Sequence, residues 1–267
     1  MQPIPFFIKE RQPVGSWNTP KLHEQFEFNA EIRNAWWYDF IPTIKDDEYN
    51  DLRPIFDKLD AADHSKTIEV DELVNIDINR GRLLNKDSMS VLQPEFEKFL
   101  QRIKEQTAKD TKVALGYSGK KKKDPLHMSK ETCQKMVEAF AWINKDHLSL
   151  YEFLAMMQYI QMAICVFEIN DVDHNSDMDP EEMVNAMSFF GYELSTKQTK
   201  ALINSLGKKR IFSKEKKVHR TEFVAVCGVL ASIRTKYQRN VLKGSKFAFD
   251  HKDFSAYLIN EIERSNF

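Results

Sequence analysis

Asp171-Val-Asp173-His-Asn175-Ser176-Asp177-Met178-Asp179-Pro180-Glu181-Glu182 is the stretch that decides how this chain folds. Oxygen-bearing side chains fall at its first, third, fifth, seventh and ninth positions (Asp171, Asp173, Asn175, Asp177 and Asp179), and Glu182 closes it at the twelfth. Ca²⁺ is a hard cation that takes six to eight oxygens at about 2.3–2.6 Å, and this spacing supplies them. The seventh residue gives a backbone carbonyl, the ninth acts through water, and the twelfth reaches back with both carboxylate oxygens. Ser176 stands at the sixth position, where a glycine normally eases a positive φ, which makes that turn costlier by about 1–2 kcal/mol at most. Met178 takes the eighth position, where an apolar residue pairs as a short strand with a second loop. Asp-Pro-Glu-Glu alone reads as a good helix start. Six matching positions in one window go beyond that and predict a Ca²⁺ loop between two helices.

The rest of the chain bounds the fold around this loop. It has 267 residues, a net charge of −1 and only eight glycines, which points to a helical protein with ample chain for a buried core. The expectation is all-α, with no membrane span, no signal peptide and a cytoplasmic setting. Cys133, Cys165 and Cys227 are odd in number, lack metal-ligand spacing and read as reduced core thiols. No Cys or Ser sits in a nucleophile motif, and no phosphate-cradling Gly loop or His-Glu-x-x-His sequence occurs, so no catalytic residue is assigned.

Other segments repeat the helix-loop-helix frame. From Asp46, a helix pattern leads into a loop whose oxygens are Asp60, Asp63, Ser65, Glu69 and Glu72, a possible weak second metal site. That loop is one residue too long if Asp60 opens it, and Ala61 takes the first position at standard length. Read as structure alone, it is a loop whose Ile68 pairs with another loop. In a second frame Leu148 and Glu152 hold the eighth and twelfth positions, but Ala141 and Ile143 at the first and third cannot ligate a hard cation. Its exiting helix has no breaker before Asn170, so one long helix joins it to the Asp171 loop. Met183–Phe190 is helical and stops at Gly191, and Ser195 caps a helix over Thr196–Leu206. Val218 and Glu222 mark a fourth frame whose loop, 208–220, carries seven cationic side chains that exclude Ca²⁺. A fifth frame spans Asn240 to Phe254, with Phe247, Phe249 and Phe254 apolar and no acids at its opening.

Residues 1–45 form a separate, proline-interrupted arm rich in aromatics, including Trp17, Trp36, Trp37, Tyr38 and Phe40. Disordered tails are poor in such residues, so the arm lies against something apolar, either its own globular body or an assembly partner. Residues 46–267 form the helical domain, with an insertion at about 80–125. That insertion holds an amphipathic helix candidate over Gln93–Thr107 and the run Lys120–Lys123, a solvated loop that could meet an acidic partner surface.

Five frames with one well-formed metal loop resemble the penta-EF-hand family, that of sorcin, grancalcin and the calpain small subunit. The residues that carry the likeness are Ala186-Met-Ser-Phe-Phe-Gly191-Tyr-Glu-Leu-Ser195 and the helix Glu222-Phe-Val-Ala-Val-Cys-Gly-Val-Leu-Ala-Ser-Ile-Arg-Thr-Lys-Tyr-Gln-Arg-Asn240. The resemblance implies Ca²⁺ at Asp171, Asp173, Asn175, Asp177, Asp179 and Glu182, and a homo- or heterodimer through a fifth-hand strand carrying Phe247 and Phe249. The chain departs from the family in lacking a Gly/Pro-rich tail, in its eroded first loop and in its basic fourth loop. Three non-enzymatic readings follow: a calcium-responsive adaptor for protein partners, a structural component of a cytoskeletal or ciliary assembly, and a regulatory subunit of a calpain-like protease. Nucleic acid is not an expected partner, and no transmembrane segment is expected.

Overall fold

A computed structural model describes residues 30–44, 46–76, 127–171, 177–192, 194–206, 218–243 and 257–260. Residues 1–29, the Gln93–Thr107 helix candidate, Lys120–Lys123, loop residues 208–217 and the fifth-frame Phe247, Phe249 and Phe254 lie outside the described residues. The described part is mostly helical, in keeping with an all-α chain. Its helices are α1 (Asp46–Leu59), α2 (Val70–Leu73), α3 (Lys130–Phe140), α4 (Leu150–Asn170), α5 (Pro180–Phe189), α6 (Thr196–Leu206) and α7 (Arg220–Lys243). Two short strands, β1 (Asp177–Met178) and β2 (Val218–His219), pair antiparallel.

Local chemistry sets most of the helix ends. Ser129 caps α3 by accepting the Thr132 N–H at 3.1 Å, and Cys133, Met136, Val137 and Phe140 form its buried stripe. Ser149 and Glu152 make a reciprocal capping box at the start of α4. Ser195 and Gln198 do the same for α6, with Ser195 N–H donating to Gln198 Oε1 at 2.8 Å and Gln198 N–H to Ser195 Oγ at 3.3 Å. α5 ends on Gly191, whose φ of +76° is the left-handed conformation a helix stop requires. The Tyr192 N–H reaches back to Met187 O and the Gly191 N–H to Ser188 O, both at 3.0 Å, which closes the orphan carbonyls.

The long helix α4 is the axis of the core. By length and composition its window Leu150–Phe167, mean hydropathy 1.4, could cross a membrane, yet all of that window is buried inside the fold. A helix apolar on every side is what the centre of a core demands. α7 packs along α3. Gly228 sits at their close approach, where a Cβ would stand 3.2 Å from Met136 Cε.

The segment Ala30–Ile44 belongs to this same core. It forms two 3₁₀ turns, Ala30–Asn34 and Tyr38–Thr43, and buries Ile32, Trp36, Trp37, Tyr38, Phe40, Ile41 and Ile44. The Trp36 ring lies 5.4 Å from Phe140, 5.5 Å from Tyr159 and 6.1 Å from Phe40, with the Arg234 guanidinium 4.6 Å from its centroid. Its indole N–H donates to Thr235 Oγ1 at 2.8 Å, and its backbone N–H to Gln238 Oε1 at 2.9 Å. The aromatic density that marks this part of the arm in the sequence is therefore spent on the protein's own body.

Candidate metal centre

Four loops stand in two facing pairs. Ile68 and Leu148 exchange both backbone hydrogen bonds, at 2.8 and 2.9 Å, in an isolated antiparallel bridge. Met178 faces Val218 and Asp177 faces His219 in the β1–β2 pair. Each pairing joins two loops, and a glutamate follows each of these four residues at the fourth place: Glu72, Glu152, Glu182 and Glu222. Ile68, Leu148, Met178 and Val218 are all fully buried, so the bridges are also the apolar seams of the two pairs.

In the Asp171 loop, the described ligand candidates are Asp171, Asp177, Asp179 and Glu182; Asp173 and Asn175 lie outside the described residues. Asp171 closes α4 and Asp177 opens β1, at 7% and 4% exposure. Carboxylates that deep are stable only with a compensating partner, protein or cation. Asp179 caps α5, its Oδ1 accepting the N–H groups of Glu181 and Glu182 at 2.8 and 2.9 Å. Glu182 Oε2 accepts the Asp179 N–H at 3.0 Å, which sets the glutamate back over the loop from the first turn of α5. The donor set is all oxygen, the chemistry that a hard divalent cation selects.

The Asp60 loop is built differently from either reading of its length. Asp60 is 8% exposed, and its Oδ1 accepts the Lys66 N–H at 2.9 Å and the Ser65 hydroxyl at 3.2 Å. It therefore organises the loop from the front, and the 3₁₀ turn Asp60–Ala62 absorbs the extra residue, with His64 N–H donating to Asp60 O at 2.9 Å. His64 and Lys66 carry φ of +54° and +64°, so this loop makes its tight turns without glycine. Asp63 Oδ1 accepts the Ser65 N–H at 3.0 Å. Burial pushes the Glu72 carboxyl above its ordinary range, the Glu69 N–H opposes, and the charges of Asp63, Asp60 and Glu69 add to the rise. Glu69 also faces His147 Nδ1 of the neighbouring loop at 3.4 Å.

The loop between α3 and α4 has an arrangement that its sequence did not announce. Glu152, 1% exposed, accepts three backbone N–H bonds: Trp142 at 2.6 Å and Ile143 at 3.0 Å on Oε1, and Ser149 at 2.7 Å on Oε2. Burial raises its pKa and these bonds oppose the rise. Ala141 and Ile143 at the ligand positions lead to the expectation that the loop takes no cation. That backbone amides would replace one could not be read from side-chain types.

Among the described residues, no group of three or more His, Cys, Asp or Glu side chains converges as a ready metal site. No protein-family model matches this chain, and no curated protein sequence matches it.

Proposed function

We propose that this protein is a non-catalytic, calcium-responsive adaptor built on paired EF-hands of the penta-EF-hand type. The reading rests above all on the register of the Met178–Val218 pair: the eighth residue of the Asp171 loop meets the eighth residue of the next frame, and Glu182 follows on the first turn of α5. Asp171, Asp173, Asn175, Asp177, Asp179 and Glu182 would hold one Ca²⁺. The ion would draw Glu182, and with it α5, towards the end of α4, changing the apolar surface offered to a protein partner. Such a response needs different contacts in the two states, because an ion that binds both equally shifts nothing. A dimer through the fifth frame, with Phe247 and Phe249 on its strand, belongs to the same proposal, as do a cytoplasmic setting and docking of an acidic surface on Lys120–Lys123 or the 208–220 loop.

A second reading, a structural part of a cytoskeletal or ciliary assembly, gains support from the Glu152 loop, which needs no ion to keep its shape. Calcium titration calorimetry on the full chain and on Glu182→Gln, with sedimentation alongside, separates the two. The adaptor reading expects one site, lost in Glu182→Gln, with a calcium-dependent change in shape or self-association. A second site would belong to Asp60, Asp63, Ser65, Glu69 and Glu72. No binding at millimolar calcium would sink the adaptor reading and leave the scaffold.

A further inference from the structure

The α3–α4 loop is tied to a distant helix by one cation. Arg239, near the C-terminal end of α7, donates from Nη2 to Ala141 O at 2.6 Å and to Trp142 O at 3.2 Å. Its guanidinium also lies 5.2 Å from the Trp142 ring centroid. Burial lowers the Arg239 pKa and the negative charge of Glu152 opposes that. One turn earlier Thr235 donates to Ala139 O at 2.6 Å, and Gln238 binds both the Trp36 N–H and Asn34 O. Carbonyls at and just beyond the end of α3 are thus answered by side chains of α7. On one side the loop's amide hydrogens turn to Glu152; on the other its carbonyls turn to Arg239.

We infer that Arg239 supplies the positive charge which a cation supplies in a metal loop, so that the 141–152 loop is latched shut by α7 and follows the position of that helix instead of calcium. The arrangement balances charge, since a buried carboxylate, its three N–H donors and a guanidinium close by leave nothing for an ion to neutralise. It also divides labour within the fold. Through the Ile68–Leu148 bridge the latched loop gives the Asp60 loop a fixed neighbour, and any calcium response is confined to the Asp171 side. A pull on the C-terminal turns of α7, which lead towards the fifth frame, is what would release the latch. Arg239 is a positioning residue in this role.

Amide hydrogen exchange on the full chain tests this in the wild type, Arg239→Ala and Arg239→Lys, with and without calcium. The Trp142, Ile143 and Ser149 amides should exchange about tenfold or more faster in Arg239→Ala and less so in Arg239→Lys, with α4 amides unchanged. Calcium should leave those three amides of the wild type as they were. Wild-type rates in both variants would overturn the inference, as would a parallel rise across α4, which would make Arg239 a support of the whole fold. Calcium-dependent protection of Trp142 and Ile143 would also overturn it, by showing that the loop takes an ion. The proposed site at Asp171–Glu182 is judged by calorimetry, so either idea can fail without the other.

Discussion

Glu152 and Glu182 show how one residue type at one loop position divides into two roles. Both close a helix-capping box and both stand four residues after a bridged apolar residue. Glu152 is fully inside and saturated by three amide donors, whereas Glu182 gives one oxygen to the Asp179 N–H. Glu152→Gln keeps the shape but replaces one acceptor oxygen by an NH₂ group, which leaves at least one buried N–H facing another donor. We expect it to cost about 1–3 kcal/mol of stability in urea unfolding, with no change in calcium binding. Glu182→Gln keeps a capping-box residue, so metal-free stability should stay within about 0.5 kcal/mol of the wild type while calcium binding is lost. If the two variants traded phenotypes, the assignment of roles would be wrong. The buried thiols give a second residue-scale expectation. Burial pushes Cys133 up to about 11 and Cys227 well above its ordinary range, so neither forms thiolate at neutral pH. A disulfide reagent at pH 8 should modify them only under unfolding conditions.

At the scale of elements, the sequence was legible wherever the signal was local. Ser195 and Gly191 announced helix ends by their own hydrogen-bonding or conformational preference, and those ends stand where the residues put them. The unbroken run from Tyr151 to Asn170 read as one helix because no glycine or proline interrupts it, and α4 covers it. Illegible was whatever depends on meeting a distant residue. Asp60 shows this well: its grip on the Lys66 N–H depends on a 3₁₀ turn that side-chain types do not encode. Arg239 is a second case, since nothing near it in sequence points to the carbonyls of Ala141 and Trp142, almost a hundred residues back. Asp173 and Asn175, two of the six residues in the metal pattern, lie outside the described residues. Gly191 supplies the test at this scale. Any Cβ there meets open space, so the only penalty of Gly191→Ala is the left-handed backbone. The variant should lose about 1–2 kcal/mol, and Gly191→Asn, which tolerates that conformation, should lose less. Equal losses would mean that the helix stop is not what Gly191 provides.

The described part of the molecule is held by a core that the aromatic segment and the helices share. Trp36 touches Phe40, Phe140, Tyr159 and Arg234 while its indole N–H is bound to Thr235, so one side chain joins residues 30–44 to α3, α4 and α7. Trp36→Ala should cost about 3–5 kcal/mol, as the cavity and the orphaned Thr235 contact add to lost burial. A chain that starts at residue 46 should show no cooperative unfolding transition, because it lacks the side chains that fill this centre. The same burial makes the fold sensitive to alkali. Burial raises Cys133 to about 11 and Tyr151 and Tyr192 to about 12, and pushes Tyr159 and Cys227 well above their ordinary ranges. For each, the neutral form is the one the folded state accepts. The folded state therefore keeps its proton over a pH range in which the unfolded chain has lost it. Stability from these groups is complete below the unfolded values, about 9 for the thiols and 10 for the phenols, and drains away as pH rises through the folded ones. Urea midpoints measured from pH 7 to 11 should hold level to about 9 and then fall. A midpoint that stayed level to pH 11 would mean that the buried groups ionise in the folded protein without cost, and that the core around Tyr159 and Tyr192 is wetter than its packing implies.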